Sequence, residues 1–248
     1  MDTMIIDEFD PAQPDHIIKE IFNPNEPIVN EFSKHFSAEL LEFAENFSIA
    51  YKKYLEFDRL LKSTKNEQKG LVLGLTYLFL DNLFTSIKLF ILGYQIPAGN
   101  LMRQVTEGIA LASLCSLVDP ITVNTDKKKR KIKEIHFYNN FLKDTPNARS
   151  HLAVKHLELN AKKYGISDDA ITALKNQKKI FNNYSHPSIL AISTIVSDEH
   201  PGKIFMGGGF DKEKIDQYKI ELTNRIRVCA ILPNVIQWLI ENVKKIPE

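Results

Sequence analysis

The sequence is poor in the residues that build covalent or metal-held scaffolds. It has only two cysteines, Cys115 and Cys229, with no Cys-x-x-Cys spacing, which excludes a disulfide framework and a thiolate zinc site. Its histidines other than His186, namely His16, His35, His136, His151, His156 and His200, form no His-Glu-x-x-His group. His151 and His156 are five apart and fall on different helix faces, so neither a metal nor another cofactor is expected. Net charge is also lacking: 32 Lys and Arg against 31 Asp and Glu leave +1. No whole-molecule field then favours nucleic acid or anionic lipid, and such contacts must come from a local patch. The first residues carry neither a basic start nor a continuous apolar core, so no secretory signal is expected and a cytoplasmic setting fits the reduced cysteines. Alternating apolar and polar strands do not recur at regular spacing, and there is no internal repeat.

One long apolar run is present. Leu71 to Leu92, if helical, is long enough for a hydrocarbon core of ~30 Å. Asp81 and Lys88 lie within it, each costing roughly 2.5 to 3.5 kcal/mol near a bilayer centre. The flanks lack a basic cluster with aromatic anchors, so the run is expected to sit in a protein core without membrane insertion.

With 44% hydrophobic residues in 248, the chain can bury one sizeable core. Pro11, Pro14, Pro24 and Pro27 make residues 1–27 an extended N-terminal arm with at most a short turn around His16 to Phe22. Residues 28–248 form a single helical domain. Phe32, Phe36, Leu40, Phe43, Phe47, Ala50, Tyr54, Phe57 and Leu61 recur at threes and fours, the stripe of an amphipathic helix. Leu71–Leu92 and Ala98–Leu117, joined at Gly93 to Pro97, form a helical hairpin. Asp126 is expected to cap a helix opening with the basic run Lys127–Lys131, placing Ile132, Ile135, His136 and Phe137 on one side. Further helices are expected over Leu152–Tyr164, closed by Gly165, and over Ala170 to about Ser185. The run Ile189–Val196 is ambiguous between helix and strand. Lys203–Phe210, with Gly207-Gly208-Gly209, is irregular or hairpin-like, and a final helix bent near Pro233 runs from Asp211 to about Val243. The fold class is therefore all-α: an antiparallel bundle of about six or seven helices with a short Gly-rich hairpin or turn before the last.

Two constellations carry candidate chemistry. Asn100, Arg103 and Glu107 share one helix face at steps of three and four, and Asp81, Thr85 and Lys88 lie along one face of the neighbouring arm. Ionised groups among apolar residues are costly unless paired, so they mark a buried network or the wall of a ligand cleft. The second is Asn182-Asn183-Tyr184-Ser185-His186-Pro187-Ser188. The proline forces the preceding residue out of helical geometry, so His186 sits at a bend as an acid, base or donor near neutral pH. Alternatively, these side chains cap the ended helix and the next one. The glycine triad lacks the Lys-Ser/Thr of a phosphate loop and reads as a tight turn.

Leu101-Met-Arg-Gln-Val-Thr-Glu107 together with Tyr184-Ser-His-Pro-Ser188 and the Gly-rich turn before the last helix resembles a group of uncharacterised bacterial helical proteins distantly similar to HEPN-like domains. In HEPN ribonucleases an arginine followed after four to six residues by histidine forms the RNA-cleaving site, usually across a dimer. In this chain Lys179 precedes His186 by six intervening residues, a point charge where arginine offers a planar fork to phosphate. The resemblance implies His186 as acid or base, with Asn182 and Lys179 beside it and no metal. Two function classes follow. One is a binding or regulatory module whose polar centre is Arg103, Glu107 and His186, with Asn100, Asp81, Lys88, Tyr184 and Ser188 as ligand-facing candidates. The other is a metal-independent ribonuclease using His186. Partners expected are RNA or a small polar ligand, and a second copy of the chain through apolar helix faces.

Overall fold

The computed structural model describes residues 12–126 and 131–248 and is an all-α bundle carrying one small hairpin. Its helices are α1 (Pro14–Ile21), α2 (Glu26–Leu61), α3 (Glu67–Ile91), α4 (Gln95–Cys115), α5 (Phe137–Leu142), α6 (Ser150–Asn160), α7 (Asp168–Asn182), α8 (Ile189–Ile195) and α9 (Ile215–Val243). Six of these have eleven residues or more, matching the expected bundle; α1, α5 and α8 are shorter additions. α1 falls where the arm was expected to hold only a turn. α8 settles the ambiguous run as helix, its first turn capped by Ser188, whose hydroxyl accepts from the Ala191 amide. Pro233 lies inside α9 rather than ending it.

Packing follows the apolar stripes. α3 lies chiefly on α4, α2 on α9, and α4 also meets α6 and α7. At one end, Phe32 is fully buried with ring centroids 5.0 to 5.2 Å from Phe90, Phe210 and Tyr218, which unites α2, α3 and α9 through aromatic contact. The glycine triad serves this junction. Gly93 has φ +83°, and a Cβ there would sit 2.3 Å from the Gly209 nitrogen, while a Cβ on Gly208 (φ +96°) would meet the Leu92 carbonyl at 2.4 Å. The loop therefore lies against the α3–α4 turn, which only glycine permits. Buried Asn25 completes the joint, donating from Nδ2 to the carbonyls of Gly207 (2.9 Å) and Leu92 (3.3 Å).

The segment after Leu117 corrects the expected helix. β1 (Ile121–Asp126) and β2 (Lys131–Ile135) pair antiparallel, with Ile121 opposite Ile135 and Val123 opposite Lys133. Ile121, Thr122 and Val123 are β-branched and favour a pleated, half-buried surface. Ile135 is buried while Ile132 is exposed, so the two do not share the side that a helix would have given them. Lys127–Arg130 of the basic run lie outside the described residues. Asn160 fastens the hairpin to α6, accepting from the Thr122 amide (2.9 Å) and donating to its carbonyl (2.8 Å).

Beneath this joint His156 is buried, with Nε2 2.9 Å from the Asn147 carbonyl and Nδ1 without a hydrogen-bond partner among the described residues. Burial lowers its pKa from 6.5, outweighing the opposing bond to Asn147. The unfolded chain therefore takes up the proton first, so the stability held above pH 6.5 declines as pH falls from there toward the folded value. We expect this group to add a slope of at most about 1.4 kcal/mol per pH unit in that window, removed in His156→Gln, as read from urea midpoints of both proteins between pH 7 and 5.

Candidate functional site

The functional candidates occupy two layers around the start of α4 and the end of α7. The inner layer is buried. Arg225 on α9 is fully buried, its Nη1 3.2 Å from Glu221 Oε2 one turn earlier and its Nε donating to Ser86 Oγ at 3.1 Å. Ser86 in turn donates to the Ala98 carbonyl (2.8 Å). The guanidinium carbon lies 4.5 Å from the Phe90 ring centre and 5.6 Å from that of Phe181, a cation–π arrangement on faces that offer no competing water. Burial lowers the Arg225 pKa, and the adjacent Glu221 carboxylate opposes that shift. Glu221 Oε1 accepts from the Tyr184 hydroxyl at 2.6 Å. Burial, then the neighbouring carboxylate, pushes the phenol pKa far up, so it stays a donor. Tyr184 fits because Gly99 lacks a side chain: a Cβ there would lie 2.3 Å from the ring.

The outer layer begins one residue later. Arg103 Nε is 3.0 Å from Glu107 Oε1, and its Nη1 donates to Ser185 Oγ at 2.7 Å. Glu107 is buried and Arg103 half-buried. Lys178 is close enough to both to feel their charges; burial lowers its pKa, with Glu107 opposing and Arg103 reinforcing. Its ammonium is held by the His151 carbonyl. From there an open cleft of about 440 Å³ runs between α6 and α7, its walls including Lys155, Glu158, Lys175, Lys178, Lys179 and Asn182. Lys175 is paired with Glu158 at 2.6 Å, whereas no ion pair occupies Lys155, Lys178 or Lys179 among the described residues.

The expected residues divide accordingly. Arg103 and Glu107 meet, and the bend after α7 comes to them through Ser185. Lys179 and Asn182 line the cleft. His186 is exposed and makes no hydrogen bond among the described residues. Ser188 caps α8 and donates to the Asn183 carbonyl (2.7 Å), which is the capping role weighed for it. Asp81 and Lys88 correct the premise that they are costly buried charges: both are exposed, Lys88 lying 6.0 Å over the Phe84 ring. Neither they nor half-buried Asn100 hydrogen-bond to the Arg103 cluster among the described residues. Sequence reasoning missed Ser86, Glu221 and Arg225. The available signal was a Glu-x-x-x-Arg step on a helix, in the favourable order for an ion pair, flanked by Leu222, Ile226 and Cys229.

Among the described residues no group of three His, Cys, Asp or Glu side chains is placed to hold a metal. Cys115 and Cys229 are unpaired and buried, and burial pushes each thiol to about 12, so neither offers a thiolate near neutral pH. Comparison of the chain with family models, curated proteins and solved structures found no match.

Removing Arg225 strands Glu221 in the core, so Arg225→Met is expected to cost about 3 to 5 kcal/mol. Replacing both members in Arg225→Met/Glu221→Met is expected to recover part of that loss. Chemical denaturation of the four proteins in the cycle gives the coupling directly.

Proposed function

We propose that this chain is a non-catalytic binding module that takes the phosphate backbone of single-stranded RNA in the cleft between α6 and α7. The observation that carries this reading is the charge of that cleft. Lysines from two helices converge on it, Glu158 neutralises only Lys175, and a concave surface of one sign concentrates an anionic ligand. The near-neutral balance of the whole chain makes the local excess the relevant quantity. Arg103 holds Ser185 at one end of the cleft, and Arg103 and Glu107 both act electrostatically on Lys178 there, which makes them positioning groups for the ligand surface.

Engagement of about three phosphates by Lys155, Lys178 and Lys179 gives a slope of about −2 in log K against log salt on single-stranded RNA. Fluorescence anisotropy on a labelled mixed-sequence RNA between 50 and 200 mM salt, roughly the range where such slopes are resolved, measures it. Lys155→Ala and Lys179→Ala are each expected to flatten the slope by about 0.7. Binding that ignores salt and these substitutions would remove the proposal.

A second reading has one observation in its favour. His186 is exposed and without a hydrogen bond, immediately after the Ser185 that Arg103 holds, so its imidazole is free to exchange a proton with a ribose 2′-hydroxyl or a leaving oxygen. Cleavage of a labelled RNA pool in EDTA by the wild type, lost in a folded His186→Ala protein, would favour this metal-independent nuclease over the binding module. The binding module instead leaves the pool intact.

A further inference from the structure

α3 is the most apolar long helix of the chain, yet one whole side of it is uncovered. Gly70, Gly74, Tyr77, Leu78, Asp81, Phe84 and Lys88 are exposed along that side, at the threes and fours that place them on one face. It is also the one helix among the described residues that is long and apolar enough to cross a membrane by length and composition, with half of its most apolar stretch buried in the protein. α2 supplies an aromatic rim: Phe47 stands 5.4 Å from Phe84 and Tyr54 5.7 Å from Tyr77, ring centre to ring centre.

The face is graded along its length. Its N-terminal half is small and acidic: Glu67 opens it, and nothing lies within 4 Å of a Cβ placed on Gly70 or Gly74. Its C-terminal half is bulky at Phe84 and ends on the basic Lys88, with Asp81 near the middle of the face. Such a face complements itself only when a second helix runs the opposite way.

We propose that the uncovered face of α3 is a homodimer interface, in which a second copy of this chain packs its own α3 antiparallel about a two-fold axis passing between Tyr77 and Leu78. A closed dimer of this kind is isologous, so each contact occurs twice. In this register Glu67 faces Lys88 of the second copy, Gly70 faces Thr85, Leu71 faces Phe84 and Gly74 faces Asp81. The glycines admit close approach of the two backbones where the opposing residues are larger. The parallel arrangement instead sets Lys88 on Lys88 and Phe84 on Phe84, which leaves the space over the glycines unfilled. A 25-residue helix is about 37 Å long at 1.5 Å per residue. A stable interface needs roughly 800 Å² per partner, and the α2 rim widens the α3 face toward that size.

The test uses the full chain in sedimentation velocity from 1 to 100 µM, roughly the range spanning weak and firm dimers. The wild type is expected to run as a dimer of the 28.4 kDa chain. Lys88→Glu and Glu67→Lys are each expected to raise the dissociation constant at least about tenfold, equivalent to about 1.4 kcal/mol, and the double swap to restore it. A merely structural role for either residue does not predict that rescue. Gly74→Glu, which favours helix over glycine and therefore keeps the fold while facing Asp81 of the second copy with like charge, is expected to give a monomer with unchanged circular dichroism. A Leu78→Cys protein is expected to form an intermolecular disulfide beside the axis, since the native cysteines are buried. A wild type that stays monomeric at all concentrations would overturn the proposal, as would a dimer indifferent to Gly74→Glu. A monomer that floats with phosphatidylcholine vesicles would also overturn it and assign the face to a bilayer.

Discussion

The guanidinium of Arg225 is the constraint around which the bundle is arranged. A fully buried cation is tolerable only when every neighbour contributes, because the desolvation cost of an ion of this size is several kcal/mol even after relaxation. Here the carboxylate comes from α9 itself, the hydroxyl from α3, the two ring faces from α3 and α7, and the phenol that satisfies the carboxylate from the bend after α7. Four segments must therefore arrive together. An apolar core tolerates sliding by a fraction of a turn, whereas this network holds its ion pair in one geometry, with Nη2 of Arg225 left without a hydrogen-bond partner among the described residues.

That requirement propagates outward. Because Tyr184 must reach Glu221, the chain after Phe181 passes over α4 where Gly99 leaves room, and the next residue, Ser185, is delivered to Arg103. The outer ion pair has its arginine before its glutamate, the weaker order on an isolated helix. Its geometry is held by the bend rather than by α4 alone. The exposed position of His186 follows from the same path: Tyr184 turns inward, Ser185 is taken by Arg103, and Pro187 prevents helical continuation.

Much of the fold was legible because its helices are long and their stripes clean, as in α2, or because punctuation marks their ends, as Ser167 and Gly165 do around α7 and α6. The hairpin after Leu117 was not. A basic run with isoleucines three apart mimics a helix face, and two short strands lack the length over which period 2 can be told from period 3.6. Asp81 and Lys88 misled for a related reason: α3 is apolar on nearly every side, so the sequence offers no phase from which to tell its covered face from its open one. Of the candidate site, the pairing of Arg103 with Glu107 was readable from spacing, but the inner network was not. Glu221 and Arg225 have the spacing of an ordinary surface pair, and only the tertiary position of α9 makes that pair the centre of the molecule.

The two walls of the cleft are fixed by independent means, and this bears on what the cleft does. α7 is anchored through Tyr184 to the Arg225 network, while α6 is anchored through Asn160 and His156 to the hairpin and to the Asn147 carbonyl. Lys155 on one wall and Lys178 and Lys179 on the other repel across the opening, with Glu158 already engaged by Lys175. A fold that only needed to close α6 onto α7 gains nothing from that repulsion, and a glutamate at position 155 or 179 would remove it. The anchors instead keep these like charges in place on opposite walls of the opening. On the proposed reading, binding a chain of phosphates would relieve the repulsion without moving either wall, so affinity would arise from electrostatics already in place rather than from rearrangement.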